Sequence, residues 1–124
     1  MKGQKKMPST GLINGPYALT NESIDEHITR TSSGVYVLER SRKAGSFVVD
    51  YVGRSDSDVN GRLKKWVGKN GYKRFKFGYF SSPKSAFDKE CEIYHNFNNL
   101  DNDIHPQRPE GTDWACLYCE VFDE

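Results

Sequence analysis

With three cysteines, an odd number, the chain lacks the paired framework that staples small secreted domains. Long apolar runs are also missing. Hydrophobic residues make up 35 % of the sequence, and no stretch approaches the roughly 20 apolar residues that span a bilayer. The basic opening MKGQKKM is not followed by the apolar segment of a signal peptide. No membrane partner is expected, and the cytoplasm is the expected compartment. Internal repeats and low-complexity tracts are absent as well. At 124 residues the chain suits one domain with one modest core.

A charge excess of one sign is the last thing missing: the formal net charge is +1. That total hides a segregation. Between Arg40 and Lys76 there are eleven Lys/Arg against three Asp/Glu, and from Asp88 to the C-terminus two against ten. Such asymmetry between halves points to a polyanionic partner for the basic half.

Along the chain, residues 1–20 read as a flexible N-terminal tail, its first twelve residues polar with Pro and Gly, ahead of a single domain over 21–124. Ser23 followed by Glu26 has the spacing of a capping box and predicts a short helix over 21–28. His27 in that helix has no companion ligand nearby. The runs GVYVLER and SFVVDYVGR, separated by the turn formers Ser41 to Gly45, predict a β-hairpin. Side-chain alternation puts Tyr36 with Leu38, and Tyr51 with Phe47 and Val49, so both phenols can meet on one sheet face. Ser55 to Asp58 supply N-cap residues for a helix whose stripe is Val59, Leu63, Trp66 and Val67. Phe75, Phe77 and Tyr79 alternate with Arg74 and Lys76 as a half-buried strand. Ser82-Pro83 then opens a helix with Ala86, Phe87, Ile93, Tyr94 and Phe97 as its apolar stripe. The expected fold class is α+β: a small three-stranded antiparallel sheet flanked by helices, with a possible extra C-terminal strand in WACLYCEVF over 114–122.

Glu90 falls in the middle of that last apolar stripe. A carboxylate there is costly unless a cation or hydrogen-bond donors satisfy it. The two readings are a structural pairing with a buried tyrosine or arginine, and a ligand for Mg²⁺, which needs only one or two protein carboxylates. Arg54 and Arg62 carry guanidinium forks that suit phosphate oxygens, or else serve in surface ion pairs. Tyr36 and Tyr51 are either core aromatics or phenols placed for chemistry.

Gly34-Val35-Tyr36 and Tyr51-Val52-Gly53, followed by Arg54, Arg62 on the next helix and Glu90 on the helix after that, resemble the GIY-YIG nuclease family over roughly Gly34 to Asn102. The resemblance implies a small stand-alone GIY-YIG domain acting as a metal-dependent endonuclease on DNA, with RNA left open as substrate. It implies that Tyr36 draws the proton from the attacking water, directly or by relay, and that Tyr51 and Arg62 stabilise the pentacovalent phosphate. Mg²⁺ or Mn²⁺ on Glu90 would then serve the leaving oxygen, with Arg54 a further phosphate contact. Arg54, Lys64, Lys65, Lys69 and Asn102 are the expected nucleic-acid contacts. Many members carry His or Tyr where this chain has Trp66, which leaves the general base open.

Cys116 and Cys119 form a C-x-x-C pair. Zinc needs four nitrogen or sulfur ligands, so His105, Cys91 or His95 would have to complete such a site; two reduced, partly buried cysteines are the default. A single domain is expected here, so specificity is expected to be low, directed to a DNA structure, or supplied by a protein partner. The competing readings are a catalytically inactive nucleic-acid-binding module on the same fold and a zinc-stabilised interaction protein.

Overall fold

Two β-branched runs pair as a hairpin, and the rest of the sheet is laid against one side of it. The computed structural model of the chain describes residues 10–40 and 47–121. Strands β2 (Gly34–Arg40) and β3 (Tyr51–Ser55) are antiparallel, with Tyr36 opposite Gly53 and Leu38 opposite Tyr51. The expected turn at Ser41 to Gly45 lies outside the described residues. Strand β4 (Tyr72–Tyr79) pairs with the other side of β2, and β1 (Asn14–Ala18) pairs with β4. The order is β1-β4-β2-β3, antiparallel throughout. With α1 (Asn21–His27), α2 (Val59–Lys64) and α3 (Pro83–Asn96), the fold is the expected α+β sheet flanked by helices, plus one further strand.

That further strand comes from the N-terminal side. Residues 14–18, assigned to the tail from sequence, form β1, whereas 114–121 contains no strand and turns at Leu117 and Tyr118. Pro16 lacks an N–H, which an edge strand tolerates, and Tyr17 anchors β1 by stacking on His27 with ring centroids 3.6 Å apart.

The period-2 pattern divides the core into two layers. Tyr36, Leu38, Phe75 and Phe77 face Ile24 and Ile28 near α1, and Val59 and Leu63 of α2. Val35, Val37 and Val52 face Ala86 and Ile93 of α3. Gly34 permits the close fit on the first side, because a Cβ there would meet Val59 Cβ at 2.8 Å and the Gly78 carbonyl oxygen at 2.9 Å.

Local capping follows the sequence at α2 and α3. Asp58 accepts from Gly61 N at 3.2 Å, and Ser82 accepts from Ser85 N at 3.1 Å with Pro83 at the helix start. At α1 the cap is Thr20 rather than Ser23, since Thr20 Oγ1 accepts from Ser23 N at 3.1 Å. Beyond Lys64, three-residue turns carry Trp66 and Val67 onto the core.

Alternation also breaks before Tyr51. Phe47 and Val49 pack on the α3 side, while Tyr51 packs on the opposite side with Tyr36. The break is held by Asp50, whose carboxylate accepts from Arg40 N at 2.8 Å and whose carbonyl accepts from Asp101 N at 2.6 Å. Glu39 is fully buried; it accepts from Arg74 Nε at 2.6 Å and from Val48 N at 2.7 Å, which satisfies a charge the sequence pattern places inside the sheet. Among the described residues, no helix is long and apolar enough to cross a membrane.

Candidate functional site

β3 ends the sheet, and an edge strand leaves outward N–H and C=O groups unpaired. Asn102 covers them. Its Oδ1 accepts from Val52 N at 3.0 Å and its Nδ2 donates to Val52 O at 2.8 Å. The chain then continues as residues 103–110, which form the outer wall of a cleft of about 410 Å³ along the β3 edge. Tyr36, Tyr51, Arg54, Arg62 and Glu90 line the inner side. Five residues from four elements therefore converge, as sequence reasoning grouped them.

Gly53 makes this convergence possible. It sits opposite Tyr36 in the hairpin, and a Cβ at Gly53 would overlap Cζ and Oη of the Tyr36 ring. The bare backbone lets that ring lie across β3 with its hydroxyl toward the cleft. Trp66, in the turn after α2, donates its indole N–H to Tyr36 Oη at 2.8 Å. The indole thus fixes the phenol and leaves its hydrogen free to donate elsewhere. Burial, and next the neighbouring Tyr51, push the Tyr36 phenol well above its ordinary pKa; Trp66 and Arg62 pull the other way and lose. Burial and then Glu90 likewise raise Tyr51. In the free protein both are neutral phenols, which makes them donors and poor bases.

Glu90 is 8 % exposed, as its place in the α3 stripe requires. Arg54 satisfies it: Nη1 donates to Glu90 Oε1 at 2.7 Å, and Nε donates to Asp56 Oδ1 at 2.7 Å. Burial still dominates and pushes the Glu90 carboxyl up to about 7, against the pull of Arg54. Arg54 is therefore a lock between two carboxylates rather than a free phosphate contact. Glu90 Oε2 has no hydrogen-bond partner among the described residues.

Arg62 is different. It is exposed, and its guanidinium has no hydrogen-bond or ion-pair partner among the described residues. It lines the cleft and also a shallow groove shared with Lys65, Trp66 and Lys69. Lys64 does not join that groove, since its Nζ is 2.6 Å from Asp25 Oδ1. Arg40 pairs with Asp101, and Arg74 with Glu39. Four cations of the basic segment, Arg40, Arg54, Lys64 and Arg74, are thus spent on internal pairs, whereas Arg62, Lys65 and Lys69, without an ion pair among the described residues, share one groove. Asn102, expected to contact nucleic acid, has its amide committed to Val52.

A second cluster stands behind the outer wall. His95 from the last turn of α3, His105 from the wall, and Cys116 and Cys119 bring four ligand atoms within 4.8 Å of one another. His95 Nε2 and His105 Nε2 are 3.2 Å apart; Cys116 Sγ is 3.5 Å from the first and Cys119 Sγ 3.4 Å from the second. Burial, then His105, hold the His95 imidazole below its usual pKa. His105 Nδ1 lies 2.8 Å from Pro106 O, a contact that requires the proton on Nδ1 and leaves Nε2 bare. Tyr118 N donates to Cys116 Sγ at 3.4 Å. These four residues can hold a metal ion. Of the three completing ligands weighed from sequence, His95 and His105 are in place. Cys91 instead lies buried with Phe87 and Cys116. No family model, curated protein or solved structure matches the chain.

Proposed function

We propose that the cleft binds a nucleic-acid phosphodiester and hydrolyses it, the chain acting as a GIY-YIG-type endonuclease with DNA as its substrate. The observation that carries this reading is the convergence of Tyr36, Tyr51, Arg62 and Glu90 on one cleft in which Arg62 has no partner among the described residues. A free guanidinium fork in a concave site suits two oxygens of a phosphate. Neutral phenols at Tyr36 and Tyr51 donate hydrogen bonds to oxygens that gain charge as the phosphate becomes pentacovalent. Glu90 Oε2 would hold Mg²⁺ or Mn²⁺, which when bound neutralises charge on the leaving oxygen. Lys65 and Lys69 extend the phosphate path away from the cleft.

For the second cluster the ion is zinc. Tetrahedral zinc, with bonds of about 2.0 Å to nitrogen and about 2.3 Å to sulfur, separates nitrogen pairs by about 3.3 Å and nitrogen–sulfur pairs by about 3.5 Å. Three of the tetrahedron's six edges, at 3.2, 3.5 and 3.4 Å, match those separations, and all four ligand atoms lie within 4.8 Å of one another. Two thiolates select zinc over hard cations, and four protein ligands leave no open position for chemistry. Free thiols and a thiolate centre suit a reducing compartment, in keeping with the cytoplasm.

One observation favours a second reading, a binding module without catalysis: the Tyr36 phenol is raised and its oxygen already accepts from Trp66. Incubation with supercoiled plasmid, branched DNA and RNA, with Mg²⁺, with Mn²⁺ and with neither, separates the two. Cation-dependent nicking that Tyr36→Phe loses while still binding supports the enzyme. Binding without nicking under either cation supports the module.

A further inference from the structure

His105 belongs to two sites at once: it lines the cleft, and its imidazole is one of the four clustered ligands. Residues 103–110 contain no helix or strand. Their anchors include the Asn102–Val52 pair at one end, the buried prolines Pro106 and Pro109, the contact of the His105 ring with Tyr94 of α3, the hydrogen bond from Arg108 to the Trp114 carbonyl, and the hydrogen bonds from Thr112 back to the Pro109 carbonyl. The other three ligands tie the wall to firmer ground. His95 is on α3, the helix that also carries Glu90, and Cys116 packs against Phe87 and Cys91 of the same helix.

We propose that a zinc ion on His95, His105, Cys116 and Cys119 is the clamp that fixes the 103–110 wall to α3, so that occupancy of a site holding none of the reacting groups sets how firmly the cleft grips nucleic acid. The grip rests on the phosphodiester reading; the clamp itself does not. Cross-linking His105 to Cys119 closes a loop of 15 residues, and through His95 it fastens that loop to the helix beneath. Closing such a loop removes conformations in which the wall swings away from β3. The contact of His105 Nδ1 with Pro106 O and the hydrogen bond from Tyr118 N to Cys116 Sγ pre-orient these ligands for this task rather than for turnover.

The test uses the full chain in three forms: zinc-loaded, stripped with a zinc chelator and then reloaded, and Cys119→Ser, a ligand that does not line the cleft. Metal analysis should give one zinc per loaded chain and far less in Cys119→Ser. Hydrogen exchange over residues 103–110 should speed up by roughly a hundredfold on stripping, the scale of releasing a cross-link across about 15 residues. Exchange in β2 and β4 should stay slow, which distinguishes a released wall from an unfolded protein. A labelled duplex oligonucleotide, followed by anisotropy without Mg²⁺, should bind about tenfold more weakly to the stripped form and recover on reloading with Zn²⁺. Absence of bound zinc, or equal exchange over 103–110 with and without it, overturns the clamp. A released wall with unchanged oligonucleotide affinity overturns its role in the grip. If no form binds DNA or RNA, the phosphodiester reading fails, while metal content and exchange still decide the clamp.

Discussion

Replacing Gly53 with Ala adds one methyl group, and its cost can be worked from the hairpin register. Gly53 has ordinary extended backbone, so Ala meets no conformational barrier there; the obstacle is the Tyr36 ring, whose Cζ and Oη occupy the space a Cβ would take. Tyr36 is 1 % exposed and packed among Leu38, Leu63 and Phe77, so the ring has no room to retreat. Overpacking of this kind costs about 1–3 kcal/mol. Displacing the phenol also breaks the Trp66–Tyr36 hydrogen bond, for about 1 kcal/mol more. The reduced freedom of the unfolded chain returns about 0.5–1 kcal/mol. The net loss is about 2–3 kcal/mol, or roughly 10 °C in Tm for a domain of this size. Tyr36→Leu removes the atoms that collide, so in that background Gly53→Ala should be neutral or stabilise by about 0.5 kcal/mol. Denaturant melts of the four proteins in a double-mutant cycle measure the coupling, predicted at about 3 kcal/mol. Equal costs for Gly53→Ala in both backgrounds would refute the reasoning that Gly53 is small to admit Tyr36.

Two other perturbations follow from the same cleft. Glu90 keeps its proton in the folded protein to about pH 7, whereas the unfolded carboxyl releases it near its ordinary value of 4.5. Its contribution is full below that lower value and is lost as pH rises through 7, by on the order of 2–3 kcal/mol; Glu90→Gln should flatten the pH dependence of denaturant stability across this window, and an unchanged profile would contradict the assignment. Replacing Lys65 and Lys69 together with Ala should reduce the slope of log K against log[salt] for duplex DNA by about 2, since each phosphate contact contributes about 0.9. Lys64→Ala should leave that slope alone, because its ammonium is held by Asp25; equal effects from all three lysines would show that the groove is not the path.

What could be read from the sequence was local. Ser82-Pro83, the Asp58 cap and the alternation of Phe75 and Phe77 each state their element within a few residues, and the structure places them accordingly. β1 was not legible, because NGPYA carries three residues that disfavour strands, Asn14, Gly15 and Pro16, and is recruited by the free edge of β4. The capping serine at Ser23 was misplaced because Thr20, three residues earlier, offers an equally good oxygen. For the site, the identities of the cleft residues could be read but not their pairings. Arg54 looks like a phosphate ligand in isolation, and only the packing of β3 against α3 brings Glu90 to it. The spacing of Cys116 and Cys119 is a visible signal, whereas His95 and His105 join them from a helix end and a loop. No sequence period connects those four. A histidine in the last turn of a helix, followed by another just after a chain reversal, is the faint cue that was available.

The claim that this cleft cuts phosphodiester bonds is tested most directly at Arg62, a cationic cleft residue with no partner among the described residues. Arg62→Ala removes no partner among the described residues, so its melting point should match wild type within about 0.5 kcal/mol of stability. The measurement is the initial rate of nicking of supercoiled plasmid in Mg²⁺ by wild type and Arg62→Ala side by side. Wild type should convert supercoiled to open-circular plasmid, and the variant should be slower by roughly a hundredfold or more. A wild-type protein that leaves the plasmid intact, or a variant that nicks it at the wild-type rate, would contradict the account.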